Sequence, residues 1–124
     1  MKRDMELVRE ILLSLEESPR NTTIEGYSKE EVNYHVALLI EAGLIDGFVS
    51  KNVLSGSVAP SSVVVNRLTW NGHEFAENIR QSEIWNTIKV EFKEASVATI
   101  FSVGKQLAEG YAKKKVEALI TKIP

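Results

Sequence analysis

His35 and His73 are the side chains of this sequence best suited to proton transfer or metal ligation, and they stand in segments of different pattern. An imidazole acts only with a second ligand, a nucleophile or an orienting carboxylate placed against it. No carboxylate pair or nucleophile–base arrangement stands out at a spacing that would supply one. His35 flanks an apolar helix face beside Glu31 and Leu38, and reads as a residue making one hydrogen bond. His73, in the first turn after Thr69, reads the same way. Cysteine is absent, which excludes a disulfide framework or a thiolate metal site. Gly56, Gly72, Gly104 and Gly110 are isolated, so no glycine-rich loop cradles a phosphate. Trp70 and Trp85 read as packing anchors in a core or a subunit contact. The expectation is a non-enzymatic protein with no metal, no cofactor and no small-molecule ligand.

Binding chemistry remains, and it depends on the elements that present it. Met5, Val8, Leu12 and Leu15, widened by Leu7 and Ile11, predict a core-facing helix over Lys2 to Glu17. Pro19 and the polar run behind it stop that helix, and Thr23-Ile24-Glu25 has the character of one short strand before Gly26. Ser28 and Glu31 form a capping box for a second helix, Lys29 to Ala42, which Gly43 ends. Gly47 to Val53 and Ser62 to Leu68 are rich in β-branched residues and predict a hairpin with a turn-forming loop at Ser55 to Ser61. Thr69 caps a third helix carrying Phe75, Ala76 and Ile79; a short helix with Trp85, Ile88 and Phe92 follows. Ser96 opens the last helix.

If Val32, Val36 and Leu39 of the second helix face inward, Glu30, Tyr34, Ala37 and Glu41 face outward, with Asn33 at their edge. That surface carries two carboxylates and no base. Duplex DNA is held mainly by Lys and Arg neutralising phosphates, so such a face is repelled by it. The charge distribution agrees: residues 1–50 carry a net −5 and residues 51–124 a net +3, within a total of −2. The face Glu30, Asn33, Tyr34, Ala37 and Glu41 is therefore expected to contact a protein partner.

The order helix, short strand, helix, hairpin, helix is that of a winged helix-turn-helix domain. Glu31-Val32-Asn33-Tyr34-His35-Val36-Ala37-Leu38-Leu39-Ile40-Glu41-Ala42-Gly43-Leu44-Ile45 resembles the recognition helix of bacterial winged-helix regulators and its turn into the first wing strand. Arg67-Leu68-Thr69-Trp70-Asn71-Gly72-His73-Glu74-Phe75 resembles the Leu-Thr-x-x-Gly exit from the second wing strand. The whole chain is also similar to a bacterial and phage family, domain of unknown function 2513. Met1-Lys2-Arg3-Asp4-Met5, Gly26-Tyr27-Ser28 and Leu68 to Phe75 carry that likeness. It implies a fold and a bacterial or mobile-element setting, but no activity. One departure stands out: Ser18 to Tyr27 has no room for the helix that precedes a recognition helix, so the DNA-docking pair of helices is degraded. What the superfamily resemblance implies as an alternative is a DNA-binding transcriptional regulator. Its contacts would be Asn33, which can bond an adenine edge, with Lys51 and Arg67 of the wing and the run Lys113-Lys114-Lys115.

The fold expected is thus α+β and helix-dominated: a winged-helix domain over 1–82 with a two- or three-stranded wing sheet, and a C-terminal helical extension over 83–124. Ala95 to Ala112 is the most apolar stretch, but Lys105, Gln106 and Glu109 interrupt it. A membrane span needs about 20 mostly apolar residues, and the N-terminus has no secretory pattern, so a cytoplasmic protein is expected. Val97, Ile100, Gly104, Leu107 and Tyr111 line one side of the last helix, with small residues that permit close approach. Such a helix either folds back over the domain or pairs with a second chain; winged-helix relatives pair through terminal helices, and the resemblance implies a homodimer through these residues. Beyond Tyr111 the apolar register slips to Val116, Leu119, Ile120 and Ile123.

Overall fold

A computed structural model of the chain describes residues 2–50 and 62–123. They form helices α1 (Met5–Glu17) and α2 (Lys29–Glu41), strands β1 (Ile45–Ser50) and β2 (Ser62–Leu68), and helices α3 (Trp70–Arg80), α4 (Ser82–Glu91) and α5 (Val97–Thr121). The class is helix-dominated α+β, with one two-stranded antiparallel sheet among the described residues. The chain divides into two compact units, Met1–Ala76 and Glu77–Pro124.

In the first unit α1 starts at Met5 and not at Lys2, because Asp4 is its N-cap: the Asp4 carboxylate accepts from the amides of Glu6 (2.9 Å) and Leu7 (3.3 Å). Leu7, Val8, Ile11, Leu12 and Leu15 form the buried stripe. Ser18 is already extended, as a residue before proline must be, and the helix ends there.

The short strand expected at Thr23 to Glu25 does not form. The Asn21 side chain takes the Thr23 amide (3.0 Å), and the Ile24 carbonyl accepts from Tyr27 (3.3 Å) in a turn with Gly26 at φ +88°. Backbone groups spent on these turns cannot join a ladder. Ile24 is nonetheless buried, so the segment is pinned as a loop, and it contains no helix.

The Ser28–Glu31 capping box is made in both directions, each bond 3.1 Å. At the far end Gly43 takes φ +77°, its amide bonds to Ile40 and the Leu44 amide reaches back to Leu39, both at 3.0 Å. This paired closure uses the helix's last carbonyls and aims the chain into β1. Ile45 pairs with Leu68 and Ser50 with Ser62. The ladder thus begins two residues before the expected Gly47; Val53 and the rest of the loop lie outside the described residues. A bulge follows Asp46, since Asp46 pairs with Arg67 but Gly47 with Val65. Only glycine fits at 47, where a Cβ would lie 2.1 Å from the Val64 carbonyl oxygen.

The Leu-Thr-x-x-Gly phrase has a mechanical explanation. The Thr69 hydroxyl accepts from the Gly72 amide (3.0 Å) and donates to the Gly43 carbonyl (2.6 Å), while the Thr69 amide donates to Leu44 (3.1 Å). One residue caps α3 and ties it to the turn after α2. A Cβ at Gly72 would sit 2.0 Å from the Leu44 carbonyl oxygen, so the close approach needs glycine.

In the second unit α4 buries Ile84, Trp85 and Ile88, and α5 packs beside it. Ser96 caps α5 by accepting from the Thr99 amide (3.1 Å). No described helix is long and apolar enough to cross a membrane.

Candidate functional site

The outer face of α2 is placed much as its periodicity requires. Glu30 and Glu41 are exposed, and Tyr34 and Ala37 are half-buried. Asn33 is different: it is 4% exposed, turned into the fold, where the expectation had it at the edge of the contact face. Its burial follows from its position next to Val32 on a helix whose inward sector also takes His35 and Val36. Arg67 is exposed on β2, 3.5 Å from the Asp46 carboxylate across the strand pair, and its guanidinium also donates to the Leu68 carbonyl (3.0 Å). Lys51 lies outside the described residues. Lys113, Lys114 and Lys115 are exposed on α5, in the second unit.

Sequence reasoning missed a tightly held polar group of the first unit. His35 is 1% exposed and uses both ring nitrogens. Its Nε2 accepts from the Asp4 amide (2.7 Å), and its Nδ1 lies 2.7 Å from the Glu31 carbonyl oxygen. An amide only donates and a carbonyl only accepts, so the ring is neutral with its proton on Nδ1. The imidazole holds the start of α1 against the first turn of α2, and the Tyr34 ring meets its edge at a centroid distance of 5.3 Å. Tyr27 joins the same corner. Its hydroxyl is pushed above the ordinary phenol range by desolvation and by the Asp4 carboxylate, with which it shares a hydrogen bond, and then by Glu6 and Glu10. No spacing in the sequence announces this corner. It joins residues 4, 27 and 35 by tertiary packing. His73 is more open and lies 3.8 Å from Glu16, so it bridges α3 and α1.

The corner draws Asp4 and Tyr27 from two of the phrases that carried the family likeness, while Thr69 and Gly72 explain the third. A model of the family described as "Hypothetical protein (DUF2513)" matches residues 2–98. The chain belongs to the DUF2513 family. A protein of Haemophilus influenzae, named only as an uncharacterized protein, is 35% identical over 115 residues, covering 88% of this chain and 93% of the relative. No solved structure matches the chain.

In this DUF2513 protein the five residues expected at a dimer seam are divided. Val97, Ile100 and Gly104 are buried within the chain, whereas Leu107 and Tyr111 are half-buried. The first half of α5 therefore already has a packing partner. Past Tyr111 every described residue is exposed, including Val116, Leu119, Ile120 and Ile123. Of the two tryptophans expected as anchors, Trp85 is buried at 4% exposure, while Trp70, the first residue of α3, is 76% exposed. Trp70 escapes the core because its neighbour Thr69 is fixed on the Gly43–Leu44 turn, which leaves residue 70 on the outer side of the helix start. No group of three or more His, Cys, Asp or Glu residues among those described is placed to hold a metal ion.

Proposed function

We propose that this DUF2513 protein is a non-enzymatic winged-helix protein whose first unit recognises protein, not DNA, and that it self-associates. The order α1, α2, β1, β2, α3, with the α2–β1 closure and the Thr69 tie, supports the winged-helix reading. The observation that carries the function is the outer face of α2. Where a DNA reader presents bases to phosphate, this helix exposes Glu30 and Glu41. Three further features support it. The segment 18–28 holds no helix to dock beside α2, Arg67 faces Asp46, and Asn33 is buried. The reading as a non-enzyme is supported by His35, which spends both ring nitrogens on backbone groups.

The test is fluorescence anisotropy of mixed-sequence duplex DNA titrated with the full chain, first at low and then at moderate salt. The expected result is no binding at either. Non-specific phosphate binding falls near 10⁻⁴ to 10⁻⁶ M and weakens steeply with salt. A saturable, salt-sensitive signal of about that strength would replace the proposal with a DNA-binding regulator.

A further inference from the structure

The C-terminal half of α5 is amphipathic about an axis different from that of its first half. A 100° step per residue gathers Val116, Leu119 and Ile120 into a sector of about 100°, rotated by roughly 120° from the Val97–Ile100–Gly104 stripe, and Ile123 follows just past the helix end. The four side chains are between 52% and 71% exposed. Lys113 and Lys115 lie at the two margins of this sector, and residues 111–124 hold four Lys against one Glu. A stripe left open at this length, with a basic border, is a contact surface without its partner.

The chain carries a surface of complementary character. The first unit holds eleven Asp and Glu against seven Lys and Arg. On it Trp70 is 76% exposed, and Glu74 lies one turn further along the same face of α3. The Thr69–Gly43 bond brings that face beside the end of α2, where Glu41 is exposed. An exposed indole bordered by carboxylates suits a partner that is apolar and cationic together, because a Lys stem packs on the ring while its ammonium meets the acids.

We infer that the basic end of α5 docks on the Trp70–Glu74–Glu41 face of a second copy of this chain, reciprocally, so that each copy gives one helix end and receives another. This rests on the self-association proposed above. Charge complementarity selects the occupant. Two helix ends paired with each other would set like charges together, and two turns of helix fall short of the roughly 1,200–2,000 Å² that stable interfaces bury. Reciprocal exchange makes the contact twice and pairs opposite signs. An anionic lipid surface would attract the helix end but repel the acidic first unit.

Sedimentation velocity of the full chain distinguishes these cases. The wild type is expected at twice the chain mass, with a dimer that weakens as salt is raised. The triple variant Lys113→Glu, Lys114→Glu, Lys115→Glu and the double variant Glu41→Lys, Glu74→Lys are each expected to weaken the dimer about tenfold or more, two exposed pairs at each of the two reciprocal contacts being worth about 0.5 kcal/mol apiece. Glu41 and Lys113 to Lys115 are exposed and Glu74 is half-buried, and circular dichroism checks that both variants stay folded. Mixing the two variants is expected to restore a mixed dimer. A monomeric wild type would overturn both this inference and the self-association it rests on, and binding of that monomer to anionic vesicles would give the helix end to lipid. A dimer indifferent to both variants, or two monomeric variants that do not combine, would leave self-association standing and sink this interface.

Discussion

Replacing His35 by alanine removes a side chain that ties the start of α1 to α2 through backbone groups at both ends. The magnitude follows from what each partner loses. The Glu31 carbonyl sits in a helix and keeps its intrahelical donor. The Asp4 amide precedes α1, has no helical acceptor, and is left in a partly buried position; an unmet buried donor costs about 1–3 kcal/mol. The emptied ring volume adds a cavity term, since the site is 1% exposed and bounded by the helices it joins. The sum is about 2–4 kcal/mol, a large share of the roughly 5–15 kcal/mol that keeps a domain folded. For a chain of this size that lowers Tm by about 4 °C per kcal/mol. His35→Phe separates the two contributions: it fills the volume but accepts nothing, so it is expected to cost about 1–3 kcal/mol. His73→Ala is the internal control. That imidazole is more than half exposed and only 3.8 Å from Glu16, so its removal is expected to cost less than about 0.5 kcal/mol. Urea unfolding followed by far-ultraviolet circular dichroism measures all three. If His35→Ala unfolds within about 0.5 kcal/mol of His73→Ala, the clasp carries no weight and the argument from its two bonds fails.

Two glycines separate close approach from helix propensity. Gly72→Ala drives a Cβ into the Leu44 carbonyl and is expected to lower stability by about 2–3 kcal/mol, because a backbone atom cannot move aside cheaply. Gly110→Ala meets nothing within 4 Å and is expected to raise stability by about 1 kcal/mol; urea midpoints of the two variants should move in opposite directions. Tyr27 supplies a pH dependence. Its folded-state value lies above that of the unfolded chain, so its contribution is complete below the ordinary phenol range and is lost as pH rises through the folded value. Stability measured from neutral to strongly alkaline pH is expected to fall less steeply for Tyr27→Phe than for the wild type, and parallel curves would remove Tyr27 from the account.

Local signals were legible where a short stretch determines its own geometry. The Ser28–Glu31 box, the Gly43 stop, the Thr69 and Ser96 caps and the apolar stripe of α1 each involve residues within one or two turns. The structure has them all. The Thr23–Glu25 strand failed on a competition that composition does not show: a β-branched run forms a strand only if its backbone groups are left for a partner. Asn21 and the Gly26 turn take them first. Asn33 failed on resolution of angle, since a helical wheel divides inward from outward sharply only at the sector centres, and a residue at the margin goes where the neighbouring element lies.

The two histidines show most clearly why the site was harder to read than the fold. In sequence each is a single imidazole in a helical segment with a glutamate nearby, and both read alike. In three dimensions one is sealed between α1 and α2 and the other lies open beside α1. The difference comes from Asp4. As N-cap of α1 it turns its carboxylate to its own helix, so its amide is free to point at whatever packs against that end. What packs there is the first turn of α2, positioned by its capping box after a loop that Asn21, Ile24 and Gly26 hold in place. Each link is local and readable, but the role of His35 depends on all of them holding together. The same logic applies to the surface: Trp70 is exposed because Thr69 is spoken for by the turn after α2, and the start of α3 comes beside the end of α2 only through that tie.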